Sequence, residues 1–304
     1  MADDQDAALL ARLASLRQHQ QGGRRSPHKP LLVLLALGQL ATAGSSELPW
    51  SQAQARLSDL IAEFGPLTRT SRAQSAAYPF TRLRSDGIWV LDQDVPMDAV
   101  RPLSTHHVVG RFEDSLEAAL RHDPTLVQSA ARAMVESHFP PTVAPDVLTA
   151  VGLDPNLVLH AADVVPDPSG NAERRRDPRW RTAVLQAWDR QCAFCGFDGQ
   201  FLGASVGLEA AHVRWFAFDG PDSLDNALAL CVLHHKLFDL GALGLDASAR
   251  VLVSAAFTTR TDAGQALYDL HGRALRPRPG TPLPATEHLT RHQREVFKGQ
   301  PLIA

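Results

Sequence analysis

At 304 residues, 44% hydrophobic and 21% charged, the chain is long enough for two domains and has the composition of a soluble globular protein. Its apolar run "LLVLLALGQLATAG" is too short and too mixed to cross a bilayer, and the acidic start "MADDQDAALLARL" lacks a secretory pattern, so the expectation is a cytoplasmic protein with no membrane partner. A formal net charge of −3 excludes a surface coated in positive charge, but not a local basic face that binds nucleic acid.

Of the 30 basic residues 27 are arginine, the side chain shaped to grip phosphate at two points; a coding bias, with alanine and proline also abundant, explains the excess equally well. In chain order, residues 5–20 pattern as an amphipathic helix. Pro27 then opens a second helix whose run "LLVLLALGQLA" is apolar on most sides and so central to a core. "SQAQARLSDLIAEFG" reads as a third helix, capped by Ser51 and stopped at Gly65. "YPFTRLRSDGIWVLD" reads as a β-hairpin with Asp86–Gly87 in its turn. Helical patterns return near 112–137 and 144–152.

Residues 1–162 are thus expected to form an α+β domain, mostly helical with a small β-hairpin or sheet. Residues 163–178, rich in proline and charge, are the linker, and 179–304 a second domain. There "RWRTAVLQAWDRQCAFCG" is a helix running into a CxxC turn, "VGLEAAHV" a strand, "FDGPDSLDNALAL" a loop and "LCVLHHKLFD" a closing helix. A Pro- and Arg-rich stretch at 275–286 precedes a short last helix.

All three cysteines fall into one pattern, Cys192-x2-Cys195 and Cys231-x2-His234, two ligand pairs separated by 35 residues. A structural zinc takes four tetrahedral ligands, commonly three thiolates and an imidazole supplied as two such pairs. The alternative is a plain buried thiol at Cys231. On a helix, residues three or four apart share a face, so Cys231 and His234 look one way while His235 and Asp239 look another.

His212, then Asn226 fourteen residues on, then His235 nine further, in the blocks "EAAHV", "SLDNALALC" and "HHKLFDLG", resemble the HNH nucleases over roughly residues 185–245. The resemblance implies a ββα-metal fold and phosphodiester hydrolysis, with His212, Asn226 and His235 as the catalytic set. His212 is then the base that activates water. His235 and Asp239, four apart, share a divalent cation such as Mg²⁺ or Mn²⁺, and Asn226 orients His212 and braces the loop. Many members carry a metal-binding Asp or His where this chain has Ala211; Glu209 or water is the candidate substitute.

"RRSPHKPLLVLLALG" and "YPFTRLRSDGIWVL" resemble the sulfur-binding domain of McrA-like type IV restriction endonucleases, over roughly residues 8–160. That resemblance implies recognition of double-stranded DNA in which sulfur replaces a non-bridging phosphate oxygen. Tyr78 and Pro79 would line an apolar pocket for the sulfur. His28 and Lys29 would supply positive charge and N–H groups at a helix start, and Arg82, Arg84, Arg24 and Arg25 would reach bases or phosphates. Cutting both strands is easier with two centres, so a homodimer is expected. The competing readings are an HNH endonuclease that reads a modified base, and a zinc-stabilised DNA-binding protein that does not cut.

Overall fold

The computed structural model describes residues 10–13, 16, 27–66, 70–159 and 179–303. The linker expected at 163–178 lies outside the described residues, as does most of the helix expected at 5–20. The chain divides into two compact units, Met1–Glu173 and Arg174–Ala304. Among the described residues no helix is long and apolar enough to cross a membrane.

The first unit is built around helix α1 (His28–Ala43), which follows Pro27 as expected. Leu31 to Leu37 are all fully buried, because α1 is enclosed by α2 (Trp50–Phe64), α3 (Arg72–Arg82), α6 (Pro124–His138) and α7 (Ala144–Val151). α1 and α7 approach so closely that a Cβ at Gly38 would lie 1.9 Å from the Val151 carbonyl oxygen, so only glycine fits there. Beside the helices lies an antiparallel sheet in the order β1 (Leu48–Pro49), β3 (Val109–Phe112), β2 (Trp89–Leu91), with Leu48 opposite Gly110 and Trp89 opposite Phe112. Trp50, Phe80, Trp89 and Phe112 join sheet to helices as a chain of tilted and edge-on rings 5.1–5.9 Å apart. The short helices α4 (Val100–Thr105), α5 (Asp114–His122) and α8 (Pro155–Leu159) complete the unit.

Three expectations are corrected here. The stretch 78–91 is not a hairpin: α3 runs to Arg82, a 3-10 turn covers Leu83–Asp86, and Gly87 at φ +71° leads into β2. Buried Ala76, Ala77, Phe80 and Leu83 recur at helical spacing, which outweighs the short alternation of Phe80, Arg82 and Arg84. Ser71, not a turn residue, starts the element, its side chain accepting a hydrogen bond from Gln74 N. α2 begins at Trp50, so Ser51 lies inside the helix rather than at its cap. The helical pattern at 112–137 is two helices, α5 and α6, separated at Asp123, whose side chain caps α6.

In the second unit α9 (Trp180–Ala187) packs on an antiparallel pair, β6 (Leu208–His212) and β7 (Ala227–Cys231), with Leu208 opposite Cys231 and His212 opposite Ala227. "ALALC", expected as loop, is therefore strand β7: a short fully apolar run carries no periodicity, and only pairing with β6 reveals it. Helix α10 (Val232–Asp239) follows directly, completing a ββα unit. A small hairpin, β4 (Gln200–Phe201) and β5 (Ala204–Ser205), precedes β6. After α10 come the hairpin β8 (Leu243–Leu245) and β9 (Val251–Val253), the short α11 (Asp262–Gln265) and α12 (Thr286–Glu295). Phe238 of α10 sits at the core centre, with the His292 ring of α12 stacked on it at 3.7 Å and its Nε2–H donating to the Phe238 carbonyl at 3.2 Å. The architecture is α+β throughout, a helical unit with a small sheet followed by a ββα unit.

Candidate metal centre and active site

The CxxC turn after α9 is held by the β-pair: Ala193 N–H donates to the Ala229 carbonyl and Gly196 N–H to that of Cys192, both at 2.8 Å. Gly196 takes φ +78°, which suits glycine at the close of such a turn. Cys231 ends β7 and is the residue from which α10 starts, not a helical residue as expected; His234 follows in the first turn. The folding of β7 into α10 brings His234 Nδ1 to 3.2 Å from Cys231 Sγ and 3.4 Å from Cys192 Sγ. One ligand atom each from Cys192, Cys195, Cys231 and His234 all lie within 4.8 Å of one another. Ligands about 2.0–2.3 Å from a tetrahedral zinc stand roughly 3.3–3.8 Å apart, so the four could hold that ion. The four groups set one another's proton affinities. Hydrogen bonds from Cys195 and Cys231 push the Cys192 thiol pKa down, and the same cluster pushes that of Cys231 up. Burial works against the charged form of His234, but Cys192 and Cys195 outweigh it and raise its pKa to about 9.

On the other side of α10, His235 lies between two carboxylates. Its Nδ1–H donates to Glu209 Oε2 at 2.7 Å, and its Nε2 is 3.2 Å from Asp239 Oδ2. Asp239 is buried and accepts from the Trp215 indole at 2.9 Å, which fixes its orientation. Burial disfavours the His235 cation, yet Asp239 and then Glu209 raise its pKa; the hydrogen bond from His235 lowers that of Glu209. Ala211 is fully buried in the core and offers no ligand. Glu209, two residues earlier on the same strand, is engaged by the far nitrogen of His235. A carboxylate at that nitrogen can steady a metal-binding imidazole, which would leave Nε2 and Asp239 open to a cation. Among the described residues the cysteine–histidine cluster is the only group of three or more such ligands, so a cation at His235 and Asp239 would draw its remaining ligands from water and substrate, as Mg²⁺ commonly does.

His212 ends β6. Its ring stacks on Trp180 at 3.9 Å and its Nε2–H donates to Asp222 Oδ1 at 2.8 Å. Asn226 is fully buried, and its side chain makes three bonds to loop backbone: Oδ1 accepts from Arg214 N–H at 2.8 Å, and Nδ2 donates to the Arg214 and Pro221 carbonyls at 3.0 Å. It braces the loop as expected, but the hydrogen bond that orients His212 comes from Asp222. Asp222, Trp180 and Trp215 are missed by sequence reasoning. Asp222 alone leaves a signal, an acid in the turn-rich "GPDS", which reads only as loop.

In the first unit, the two blocks singled out in the sequence meet where Lys29 of α1 forms an ion pair with Asp86 in the turn after α3. His28 is no source of positive charge: burial lowers its pKa to about 4, and its buried Nε2 has no hydrogen-bond partner among the described residues. Tyr78, half-buried, lies under the Arg82 guanidinium at 4.9 Å, and Pro79 is buried within α3. Arg82 is held by both oxygens of Asp98, at 2.8 and 2.6 Å, and Arg84 donates to the Thr81 and Val95 carbonyls. Arg24 and Arg25 lie outside the described residues.

Residues 6–156 match the family model described as the ScoMcrA-like DNA sulfur-binding domain, and residues 192–246 match that of the HNH endonucleases. The chain couples a sulfur-binding domain to an HNH domain. The HNH match begins at Cys192 and spans the cysteine–histidine cluster, His212, Asn226 and His235. Among solved structures, the sulfur-binding domain of ScoMcrA complexed with phosphorothioated DNA is 21% identical over 47% of this chain and 97% of that one, with a TM-score of 0.41. The type IV phosphorothioation-dependent restriction endonuclease ScoMcrA is 16% identical over 77% and 94%, with a TM-score of 0.39. The modification-dependent TagI restriction endonuclease is 24% identical over 45% and 41%, with a TM-score of 0.33. No curated protein matches the chain significantly.

Proposed function

We propose that this protein is a cytoplasmic type IV restriction endonuclease that recognises phosphorothioated double-stranded DNA through residues 1–162 and cuts it with an HNH centre in residues 179–304. The observation that carries the reading is one ββα unit with a histidine at the end of β6 and a His–Asp pair on α10, joined to a cluster of four candidate zinc ligands, Cys192 and Cys195 before β6 and Cys231 and His234 at the start of α10. Cys192, Cys195, Cys231 and His234 would hold a structural zinc, and with it bound they would tie the CxxC turn to the start of α10, next to His235.

In the cleavage step His212 accepts a proton from water, whose oxygen bonds to phosphorus. The phosphorus–oxygen bond to the leaving sugar oxygen breaks, and that oxygen departs with the electron pair and is protonated by solvent. A divalent cation held by His235 and Asp239 supplies neutralisation of charge building on the phosphate and leaving oxygen. Glu209 and Trp215 keep those two side chains aimed, and Asn226 keeps the loop closed. On the recognition side, sulfur is larger, softer and more weakly hydrated than oxygen, so an apolar surface beside Tyr78 and Pro79 favours it over an unmodified phosphate. A homodimer would bring one centre to each strand.

The test is His212→Ala in the full chain, on a phosphorothioated duplex with Mg²⁺ or Mn²⁺. Cleavage should fall roughly 10²–10⁴-fold while DNA affinity stays unchanged. Undiminished cleavage would remove His212 from the reaction and the HNH mechanism with it.

A further inference from the structure

We propose that Asp98 is a specificity-determining residue of the sulfur-binding domain: by holding the Arg82 guanidinium over Tyr78, it withholds from ordinary DNA a charge that any phosphate would seek. Apolar contact with sulfur is then left to decide which duplex binds. The proposal rests on the sulfur-recognition reading and adds to it the residue that acts against unmodified DNA.

Arg82 ends α3 with its guanidinium 4.9 Å from the centre of the Tyr78 ring, one helical turn back. Its Nε–H and Nη2–H donate to the two oxygens of Asp98 at 2.8 and 2.6 Å. Two parallel bonds are the arrangement in which a guanidinium and a carboxylate hold each other most firmly. Most surface ion pairs contribute little; this paired geometry, with the side chains only 36% and 29% exposed, is the exception.

Asp98 is itself held in place by the same helix. Its φ is +65°, in the left-handed region that few residues other than glycine, asparagine and aspartate adopt. Its N–H donates to Thr81 Oγ1 at 3.0 Å, and its carbonyl accepts from Gln74 Nε2 at 2.8 Å. The buried Thr81 hydroxyl is fixed in turn by donating to the Ala77 carbonyl at 2.9 Å. Gln74, Thr81 and Arg82 of α3 thus grip one aspartate by its backbone and its carboxylate together. The segment before Asp98 treats Arg84 alike: Nη2–H donates to the Val95 carbonyl at 2.8 Å, and Nη1 stands 3.5 Å from Asp94. With Lys29 paired to Asp86, all three of these cations face a carboxylate.

The chemistry of the mark explains why such pairing serves recognition. A cation attracts an ordinary phosphate at any register of the duplex, which adds affinity without information. A seated sulfur instead meets the surface beside Tyr78 and Pro79, where its weak hydration counts. Arg82 released from Asp98 would gain a phosphate contact in every non-specific register, but little where sulfur already lies against Tyr78. Selectivity is a difference between two affinities, and it grows when the wrong partner is denied a contact.

The test measures binding of the full chain to two duplexes of one sequence, one of them carrying a single stereodefined phosphorothioate. No Mg²⁺ or Mn²⁺ is added, so that cleavage does not intervene. Asp98→Asn removes the charge but keeps a side chain that tolerates positive φ. Its affinity for the unmodified duplex should rise roughly tenfold, and its slope of log affinity against log salt should steepen by about 0.9. Affinity for the modified duplex should change by less than about threefold. Arg82→Gln alone should match wild type on the unmodified duplex, and in the Asp98→Asn background it should cancel the gain. An unmodified-duplex affinity that stays level or falls in Asp98→Asn, at a wild-type melting transition, overturns the proposal. So does a salt slope that drops by about 0.9 in Arg82→Gln alone, which would make Arg82 a phosphate contact already and needs no Asp98 variant to fold. Wild-type protein that binds both duplexes alike is a different failure, that of the sulfur-recognition reading, and it shows before any variant is made.

Discussion

Asp239 has two carboxylate oxygens in different surroundings: one accepts the Trp215 indole N–H at 2.9 Å, the other stands 3.2 Å from His235 Nε2. A cation shared with His235 Nε2 would be met by the second. Losing the indole bond would weaken the hold on the Asp239 carboxylate, although no proposed ligand is removed. Trp215→Phe keeps a large aromatic ring but drops the donor. The half-saturating Mg²⁺ or Mn²⁺ concentration for cleavage should therefore rise about 10–100-fold, with the maximal rate largely recovered at high metal. An unchanged metal dependence would show that Trp215 only fills space. At this scale the sequence was informative where chemistry is local. Cys192, Cys195, Cys231 and His234 declare themselves by spacing, and the four-residue step from His235 to Asp239 is a helix step. Asp222 and Trp180 were not legible, because their partner His212 is reached only after the loop closes and α9 docks on β6.

Elements carry two further predictions. The CxxC turn and the first turn of α10 are joined through side chains that a metal would bridge, so zinc should be part of the folding free energy of the HNH domain. In isolated zinc-finger peptides such sites contribute about 10–16 kcal/mol. Protein purified without added metal should contain a single zinc, and stripping it with a strong chelator should melt the HNH domain while the sulfur-binding domain keeps its transition. A zinc-free preparation that melts unchanged contradicts this. The second prediction concerns α12, where burial lowers the pKa of His292 from 6.5 to about 3. Between these values the unfolded chain binds a proton that the folded one refuses, so stability rises with pH and is lost as pH falls from 6.5 towards 3. The slope from this group is at most about 1.4 kcal/mol per pH unit. His235, with a raised pKa, works in the opposite sense, so the comparison must isolate His292. His292→Phe keeps a ring on Phe238, and its denaturant midpoints should depend less on pH between about 4 and 6 than those of wild type. Equal slopes would mean that folding does not lower the pKa of His292. Legibility again follows locality. α1 was visible as an unbroken apolar run, whereas α3 was mistaken for a hairpin because its buried Ala76 and Ala77 are weak markers beside the alternation that follows.

The whole molecule is two units with separate cores, and the proposed activity requires both: one to find the modified phosphate, the other to hydrolyse a bond near it. His28 and Lys29 were expected to supply positive charge and N–H groups at the start of α1; burial lowers the pKa of His28 to about 4, and Lys29 is paired with Asp86. Selectivity for sulfur would then rest more on weak hydration and apolar contact than on raw charge, and should survive moderate salt better than non-specific DNA binding does. The most direct measurement compares two duplexes identical except for one stereodefined phosphorothioate, incubated with the full chain and Mg²⁺ or Mn²⁺. Cleavage of the sulfur-bearing duplex alone is the result predicted here. Equal cleavage of both would leave a nuclease without a sulfur reader and contradict the central claim.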